Sequence, residues 1–371
     1  MSYKYKDKTP LQVGREFIDL FIEQVPATML KPRGEFTYLH GVLMSGMESI
    51  YYQCGDHRYT DYIQDYLDSC LDENKNPHQV AGNEWLSMDS LDFRMPGNLF
   101  FRIYKETGDD KYLKSIEILT ETLKDFPKNS KGGFWHKKSL NDQMWLDGLY
   151  MASVLCANYS VLTGKTEFAD MAVHQARLMF DNMRTGENNL LRHGWDESAK
   201  AQWADPETGL SKIVWGRALG WFVVASADIA DILGADYPGV DAVRNNLKLC
   251  IESLVKYQCD SGFWCQVLDM PEKEGNWEEN SCTCLLAYAI AKAVRLGIID
   301  GDYIKYAKKA YEGIVDALRY EDGLINIDDI CLGTNINEGT YEYYTSCKVG
   351  TNDMHGTGPF LLMCAEMNLC E

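Results

Sequence analysis

What the sequence lacks narrows the problem first. No run approaches the ~18 uninterrupted apolar residues of a membrane span, and Met1 to Lys8 leads into no apolar export signal. The 371-residue chain is therefore expected to be soluble and cytoplasmic. Thirty glycines and ten prolines are too few and too scattered for a disordered or collagen-like chain. Positive charge is scarce: 36 Lys and Arg face 55 Asp and Glu, a net charge of −19. Such a surface repels nucleic acid and anionic membrane. It also repels an acidic substrate, unless a local cation holds it. Among 12 cysteines there is no C-x-x-C pair, and Cys282 and Cys284 share no zinc-ligand spacing with a nearby His. The seven histidines include no H-E-x-x-H. The cysteines are expected to be free packing residues, with no metal and no cofactor.

What is present is a repeat. A turn recurs in which Gly is followed within a few residues by an aromatic that opens a new helix: Gly55 to Tyr59, Gly108 to Tyr112, Gly164 to Phe168, Gly234 to Tyr237 and Gly301 to Tyr303. Gly would serve there as the left-handed stop of the preceding helix. One set of helices, near 37–54, 97–107, 142–163, 215–233, 280–296 and 356–369, is apolar on nearly every side. The other, near 10–24, 58–73, 109–126, 164–183, 238–258 and 300–319, keeps one polar face. Six buried and six amphipathic helices predict an all-α chain: an (α/α)6 barrel, one domain over 1–371, with the C-terminal inner helix closing against the first outer one. The outer-to-inner links are the long ones, so they should emerge together and wall one cleft. Gly-Phe-Trp occurs in two of them, at 133–135 and 262–264.

Asp147 carries a carboxylate on an apolar helical stripe, with Asn141 or Ser139 available as the cap. Burial there should raise its pKa, which suits a proton donor near neutrality; the plain alternative is a buried Asp satisfied by a cap or an Arg. Asp92 precedes an inner helix that Pro96 helps to start. It reads as a second site carboxylate, a turn residue, or a partner for Arg94. His193 lies in a loop with Asp196, too weak a pair for a metal site. Arg217 stands between Trp215 and Trp221. Trp faces stack on sugars and Arg clamps carboxylates, although both Trp could instead belong to the core.

The stretches Asn141–Met151, His193–Ser198, Trp215–Trp221 and Asn352–Phe360 resemble the unsaturated rhamnogalacturonyl hydrolases, glycoside hydrolase family 105, relatives of the unsaturated glucuronyl hydrolases. The likeness runs from about Phe36 to the C-terminus. That family folds as an (α/α)6 barrel and hydrates the C4–C5 double bond of a non-reducing-end unsaturated uronate. The resemblance implies that Asp147 protonates C4 and takes a proton from the water adding at C5, and that Asp92 holds the water or the ring. It also implies that His136, His193, Trp215, Arg217 and Trp221 line the subsite for the unsaturated sugar. Substrate would be a disaccharide-sized oligosaccharide, most naturally unsaturated galacturonyl-rhamnose from pectin lyase products, and the enzyme a monomer or homodimer. The chain departs from the family at Asn280–Cys284, where relatives carry small residues after a Glu. A sugar 2-epimerase or isomerase on the same barrel would need a pair drawn from His40, His136, His193 and His355. A non-catalytic glycan binder would have no need of Asp147.

Overall fold

The computed structural model describes residues 5, 7–27, 30, 36–72 and 88–370. Residues 1–4, which open the segment read above for an export signal, and residue 73, the last of an expected outer helix, lie outside the described residues. Helices follow in the order α1 (Pro10–Gln24), α2 (Tyr38–Cys54), α3 (His57–Ser69), α4 (Asn98–Thr107), α5 (Asp110–Glu121), α6 (Val154–Thr163), α7 (Thr166–Met183), α8 (Gly216–Leu233), α9 (Val240–Leu254), α10 (Asn280–Arg295), α11 (Ile304–Ala317), a short α12 (Tyr341–Thr345) and α13 (Met354–Leu369). Even-numbered helices up to α10, with α13, form the inner ring of an (α/α)6 barrel; odd-numbered helices up to α11 form the outer ring. The inner helices are walled in on all sides: in α8 every residue from Gly216 to Ala227 is buried. Outer helices such as α3 bury only one stripe, Tyr59, Tyr62, Ile63, Tyr66 and Leu67. No helix among the described residues is long and apolar enough to cross a membrane.

Ring closure falls where the sequence placed it. The Leu11 N–H of α1 donates to Asn368 Oδ1 of α13 at 3.3 Å, and Phe17 meets Phe360 edge-on at 5.6 Å. Between α2 and α13 the backbones come so close that a Cβ on Gly358 would lie 2.6 Å from the Val42 carbonyl carbon. Glycine at that crossing is a steric requirement. Gly55, Gly108 and Gly164 are left-handed stops with φ of 68°, 65° and 74°. At the fourth and fifth turns the expectation fails: Gly234 ends α8 with φ 77° but ψ 162°, outside the left-handed helical region. Gly301 only opens a 3-10 turn, Gly301–Tyr303, and Gly297, at φ 63°, follows the end of α10 instead.

Among the described residues, four two-stranded ladders tie the long loops together. The first joins β1 (Gln143–Trp145) to β2 (Gly194–Asp196), and the second joins β3 (Trp264–Cys265) to β4 (Glu278–Glu279). The third pairs β5 (Arg319–Glu321) with β6 (Leu324–Asn326), and the fourth β7 (Ile330–Cys331) with β8 (Val349–Gly350). The strand β1 corrects one expectation. Residues 142–146 are not helical, so neither Asn141 nor Ser139 caps a helix, and the helical backbone starts at Asp147 and runs through a π turn, Leu149–Ser153, into α6.

The two Gly-Phe-Trp stretches do sit in repeated turns, but one residue out of step. Asn129 N–H donates to the Gly133 carbonyl, whereas Cys259 N–H donates to that of Phe263, both at 2.9 Å. The repeat therefore equates His136 with Gln266. A further regularity concerns every inner helix from α4 to α10. Leu91 N–H donates to the His136 carbonyl at 3.1 Å, and Leu146 to that of His193 at 3.0 Å. Gly216 donates to the Gln266 carbonyl and Asn280 to that of Asp329, each at 3.0 Å. The residues that follow these four donors are Asp92, Asp147, Arg217 and Ser281.

Among the inner helices α2 carries an acid, Glu48, whose carboxyl burial pushes up to about 8, against the pull of Arg102. Between its ordinary 4.5 and that value the folded chain holds a proton that the unfolded chain has released. Stability should thus fall as pH rises through this window. Glu48→Gln is expected to flatten that decline, so its melting temperature gains on wild type from about pH 5 to about pH 8. Equal pH slopes in the two proteins would remove Glu48 as the cause.

Candidate active site

Two Asp–His pairs occupy repeat-related positions. Asp147 Oδ2 lies 3.3 Å from His193 Nε2, and Asp92 Oδ1 lies 3.3 Å from His136 Nε2. The ladder between β1 and β2 makes the first pair, since it sets Trp145 opposite Gly194 and so brings the next residues together. His193 is fully buried, and its Nδ1 is 2.6 Å from the Tyr344 hydroxyl. A neutral ring with its proton on Nε2 accepts there from Tyr344 and faces Asp147 as a donor. The contact to Asp147 is close without the alignment of a hydrogen bond: Asp147 Oδ2 and His193 Nε2 are both buried with no hydrogen-bond partner.

The charge state of Asp147 differs from the sequence expectation. Burial pushes its carboxyl up, but His193 and His136 outweigh that and hold it below the ordinary carboxylate value. Burial drives the His193 imidazole down, against the pull of Asp147. Asp92 is held far down as well: burial opposes, yet His136, Lys137 and Ser90 prevail. Lys137 Nζ stands 3.5 Å from Asp92 Oδ2, and Ser90 Oγ donates to the same oxygen at 2.8 Å. The alternative partner Arg94 is committed elsewhere, to the Leu119 carbonyl at 3.1 Å and Thr122 Oγ1 at 2.7 Å.

Arg217 takes the corresponding position one repeat on. Its guanidinium lies 4.7 Å over the Trp215 ring. Nη1 donates to the Cys331 carbonyl at 2.5 Å and to Ser281 Oγ at 3.3 Å, and stands 4.0 Å from Glu279 Oε1. Nη2 is buried without a partner. Trp215 packs on His193, 4.7 Å between centroids, and its Nε1 donates to Gln266 Oε1 at 3.0 Å. Trp221, 1% exposed, stacks on Tyr150 at 4.8 Å and supports Tyr38 edge-on.

A third Asp–His pair was not foreseen as such. His355 Nδ1 lies 2.6 Å from Asp353 Oδ1 and Nε2 2.5 Å from the Tyr38 hydroxyl. Burial and the Arg217 charge push His355 down to about 4, so the ring stays neutral. Asp353 therefore accepts from Nδ1, and Tyr38 donates to Nε2. Tyr38, Asp353, Tyr344 and Glu279 escaped the sequence reading. Of these only Asp353 carried a signal, inside the Asn352–Phe360 stretch that resembles the family. His40 stacks on Tyr66 of outer helix α3. No group of three or more His, Cys, Asp or Glu among the described residues is arranged to hold a metal ion.

A helical barrel whose one loop-bearing end collects buried carboxylates, imidazoles, indoles and a guanidinium is the architecture of a carbohydrate-active enzyme. Residues 13–370 match the model for Glycosyl Hydrolase Family 88, and the chain belongs to that family. It is 31% identical to a family 105 glycoside hydrolase of Clostridium acetobutylicum, superposing with a TM-score of 0.89 over 96% of this chain and 99% of that one. The unsaturated rhamnogalacturonyl hydrolase YesR of Bacillus subtilis is 25% identical over 309 residues, 82% of this chain and 81% of that protein. An unsaturated 3S-rhamnoglycuronyl hydrolase of an Alteromonas species is 24% identical over 272 residues, 70% of this chain and 61% of its own length. The protein is a glycosidase of the unsaturated-uronyl type, which sets the isomerase and lectin readings aside.

Arg217 and Glu279 are 1% and 0% exposed, so removing the cation strands a buried carboxylate. Arg217→Ala is expected to lower unfolding stability by about 3–5 kcal/mol, with Arg217→Lys between it and wild type. Denaturant titration checks this, and adding Glu279→Gln to Arg217→Ala should recover part of the loss. An Arg217→Ala protein as stable as wild type would show that Glu279 does not depend on it.

Proposed function

We propose that this enzyme hydrates the C4–C5 double bond of an unsaturated uronate at the non-reducing end of a short oligosaccharide, unsaturated galacturonyl-rhamnose foremost, and so releases the uronate. The observation that supports it most is the set of buried polar atoms without partners: Asp147 Oδ2, His193 Nε2 and Arg217 Nη2. Leaving a buried polar group unpaired costs about 1–3 kcal/mol. Three in one cleft mark where a ligand's oxygens belong. Arg217 Nη2 is the local cation that a protein of net charge −19 needs for an acidic sugar.

The depressed Asp147 carboxyl fits an anionic substrate better than a neutral one. In the free enzyme His193 favours its ionised form. A uronate carboxylate arriving beside it is a like charge, and like charge raises a carboxyl's pKa. The substrate thereby creates the acid that attacks it. Protonated Asp147 gives its proton to C4. Water then adds at C5 and returns a proton to Asp147. The hemiketal opens to a C5 ketone with O5 as a hydroxyl on C1, and the resulting hemiacetal expels the linked sugar. Asp92, kept anionic by His136 and Lys137, orients the water or the ring. His193, fixed by Tyr344, sets the Asp147 carboxyl and stabilises its anion between the two proton transfers. Trp215, Trp221 and His136 shape the subsite around the unsaturated ring.

Loss of the ultraviolet absorbance of the conjugated uronate reports the reaction directly. Asp147→Asn is expected to lower kcat by at least ~100-fold, the low end for general acid–base catalysis. A variant that keeps more than about a tenth of wild-type turnover removes Asp147 from that role. The pH dependence gives a separate check. Because the free carboxyl sits low, kcat/KM should fall steadily with rising pH across neutrality, while kcat, which reports the complex, holds to higher pH. Coincident profiles would mean that substrate charge does not shift Asp147.

A further inference from the structure

The second Gly-Phe-Trp turn, at 262–264, has no part in the proposed reaction, and a cysteine stands on each side of it. Its backbone repeats the earlier turn at 132–135. Gly132 N–H donates to the Asn129 carbonyl and Gly262 N–H to that of Cys259, both at 3.0 Å. Cys259 therefore stands where the earlier turn has Asn129, and Cys265 where it has Trp135. The earlier turn is closed by a side chain: Asn129 Oδ1 accepts from the Lys131 and Gly133 N–H groups at 3.1 and 2.8 Å. A thiol is too weak an acceptor for that part. Phe263 N–H, the equivalent of Gly133 N–H, instead reaches Ser261 Oγ at 3.3 Å. The sulfur of Cys259 lies 3.6 Å from that of Cys265, and both are free thiols.

The two thiols differ in freedom. Cys265 is buried in β3, opposite Glu278 of β4. Its carbonyl packs at the start of α8, where a Cβ on Gly216 would lie 2.9 Å from the oxygen. Cys259 is half-buried on the turn. Both line a cavity of about 420 Å³, together with Lys256, Asp260, Glu272 and Glu278. Burial pushes both thiols up from their ordinary value, and Glu278 and Glu272 add to the push. Protonated thiols are poor nucleophiles, so this pair reacts slowly.

We propose that Cys259 and Cys265 are a disulfide-forming pair, a staple closed by a cationic low-molecular-weight disulfide that enters through this cavity. Cys259, the more accessible partner, attacks one sulfur of the small disulfide as its thiolate and expels a small thiolate. Cys265 then attacks Cys259 Sγ in the mixed disulfide and expels the second small thiolate. The two cysteine protons pass to the two leaving thiolates. Two electrons leave the pair, and one small disulfide becomes two small thiols. The sulfurs have to close from 3.6 Å to about 2.05 Å. Because β4 and α8 hold Cys265, the turn supplies that movement. The cavity sets Lys256 against Asp260, Glu272 and Glu278, which favours a cationic oxidant over an anionic one. Once made, the bridge ties β3 to a turn already anchored on outer helix α11. Gln258 Nε2 donates to the Tyr306 carbonyl and Lys309 Nζ to that of Cys259, both at 3.0 Å. The loop that presents Gln266 to Trp215 would thereby be fastened to the outer ring.

The test incubates the whole protein with cystamine, a dication, or with oxidised glutathione, an anion, and maps the disulfides by peptide mass spectrometry. The expected product is a Cys259–Cys265 bridge. It should form faster with cystamine at low salt, and the advantage should shrink as salt rises. The bridged protein should melt about 2–5 °C above its reduced form, as a short closed loop in a chain of this size implies, and dithiothreitol should reverse the gain. Cys259→Ser should show no gain. Cys265→Ala, compared with its own reduced form, should stop at the mixed disulfide on Cys259. Wild type that also stops at mixed disulfides, or a bridged protein that melts no higher than the reduced one, overturns the proposal. A full gain in Cys259→Ser overturns it as well, since the stabilising bond would then lie elsewhere. Equal rates with the two oxidants at low salt overturn the preference for a cationic oxidant and leave the staple standing.

Discussion

One backbone hydrogen bond, made four times, organises the catalytic end of this barrel. Leu91, Leu146, Gly216 and Asn280, each leading into an inner helix from α4 to α10, donate their N–H groups to carbonyls in the loop of the next repeat. That bond satisfies a donor that a helix start would otherwise leave unpaired. It also fixes the distance between two side chains far apart in sequence. Asp92 meets His136, Asp147 meets His193, and Arg217 lies over Trp215, which in turn bonds Gln266. The site is therefore a property of the repeat: equivalent positions hold different residues, and the cleft acquires its chemistry by varying them. Two repeats supply carboxylate–imidazole pairs, one a guanidinium, and one the serine that receives it.

The electrostatics follow from that arrangement. An overall charge of −19 repels an anion at a distance, so the uronate binding proposed above falls to the buried guanidinium of Arg217. Arg217 is kept charged in a dry place because Glu279 stands opposite its Nη1 side, with the Cys331 carbonyl and Ser281 as acceptors. Glu279 is in turn held by the Cys282 and Cys331 N–H groups at 2.6 and 2.9 Å. This chain of contacts leaves Nη2 free and aimed by rigid neighbours, which is what a bidentate group needs to recognise a carboxylate without reorganising. The departure at Asn280–Cys284 belongs to the same construction. Cys282 and Cys284 are buried on α10, the helix whose first turn Glu279 caps.

The helices were legible because each ring leaves its own pattern: apolar all round for the inner set, one stripe for the outer set. The glycine stops were legible at Gly55, Gly108 and Gly164, since a left-handed residue ends a helix locally. Gly301 misled because Gly297 lay four residues earlier and the aromatic Tyr303 drew the eye to the wrong one. Residues of the cleft were legible as types, but their states were not. Asp147 read as a raised carboxyl because its near neighbours are apolar. The group that reverses that direction, His193, is brought in by the ladder between β1 and β2, and helical spacing carries no trace of it. Tyr38 and Glu279 passed unnoticed for the same reason.

On the proposed function, the lowered carboxyl of Asp147 and the selectivity of the site come from the same geometry. A carboxyl held protonated by burial alone would be ready for any glycoside that fitted the cleft. Here the imidazole of His193 lies close enough to favour the anion, yet without the alignment that would lock it in a hydrogen bond. In the proposed reaction a like charge within ~4–6 Å works against that ionisation. In that reaction the uronate would bring the charge next to the carbon to be protonated, whereas a neutral sugar would bring none. On the same proposal, recognition of the carboxylate by Arg217 and activation of Asp147 would be two effects of one substrate group. The charge that the acidic surface repels at long range is the one the cleft requires at short range.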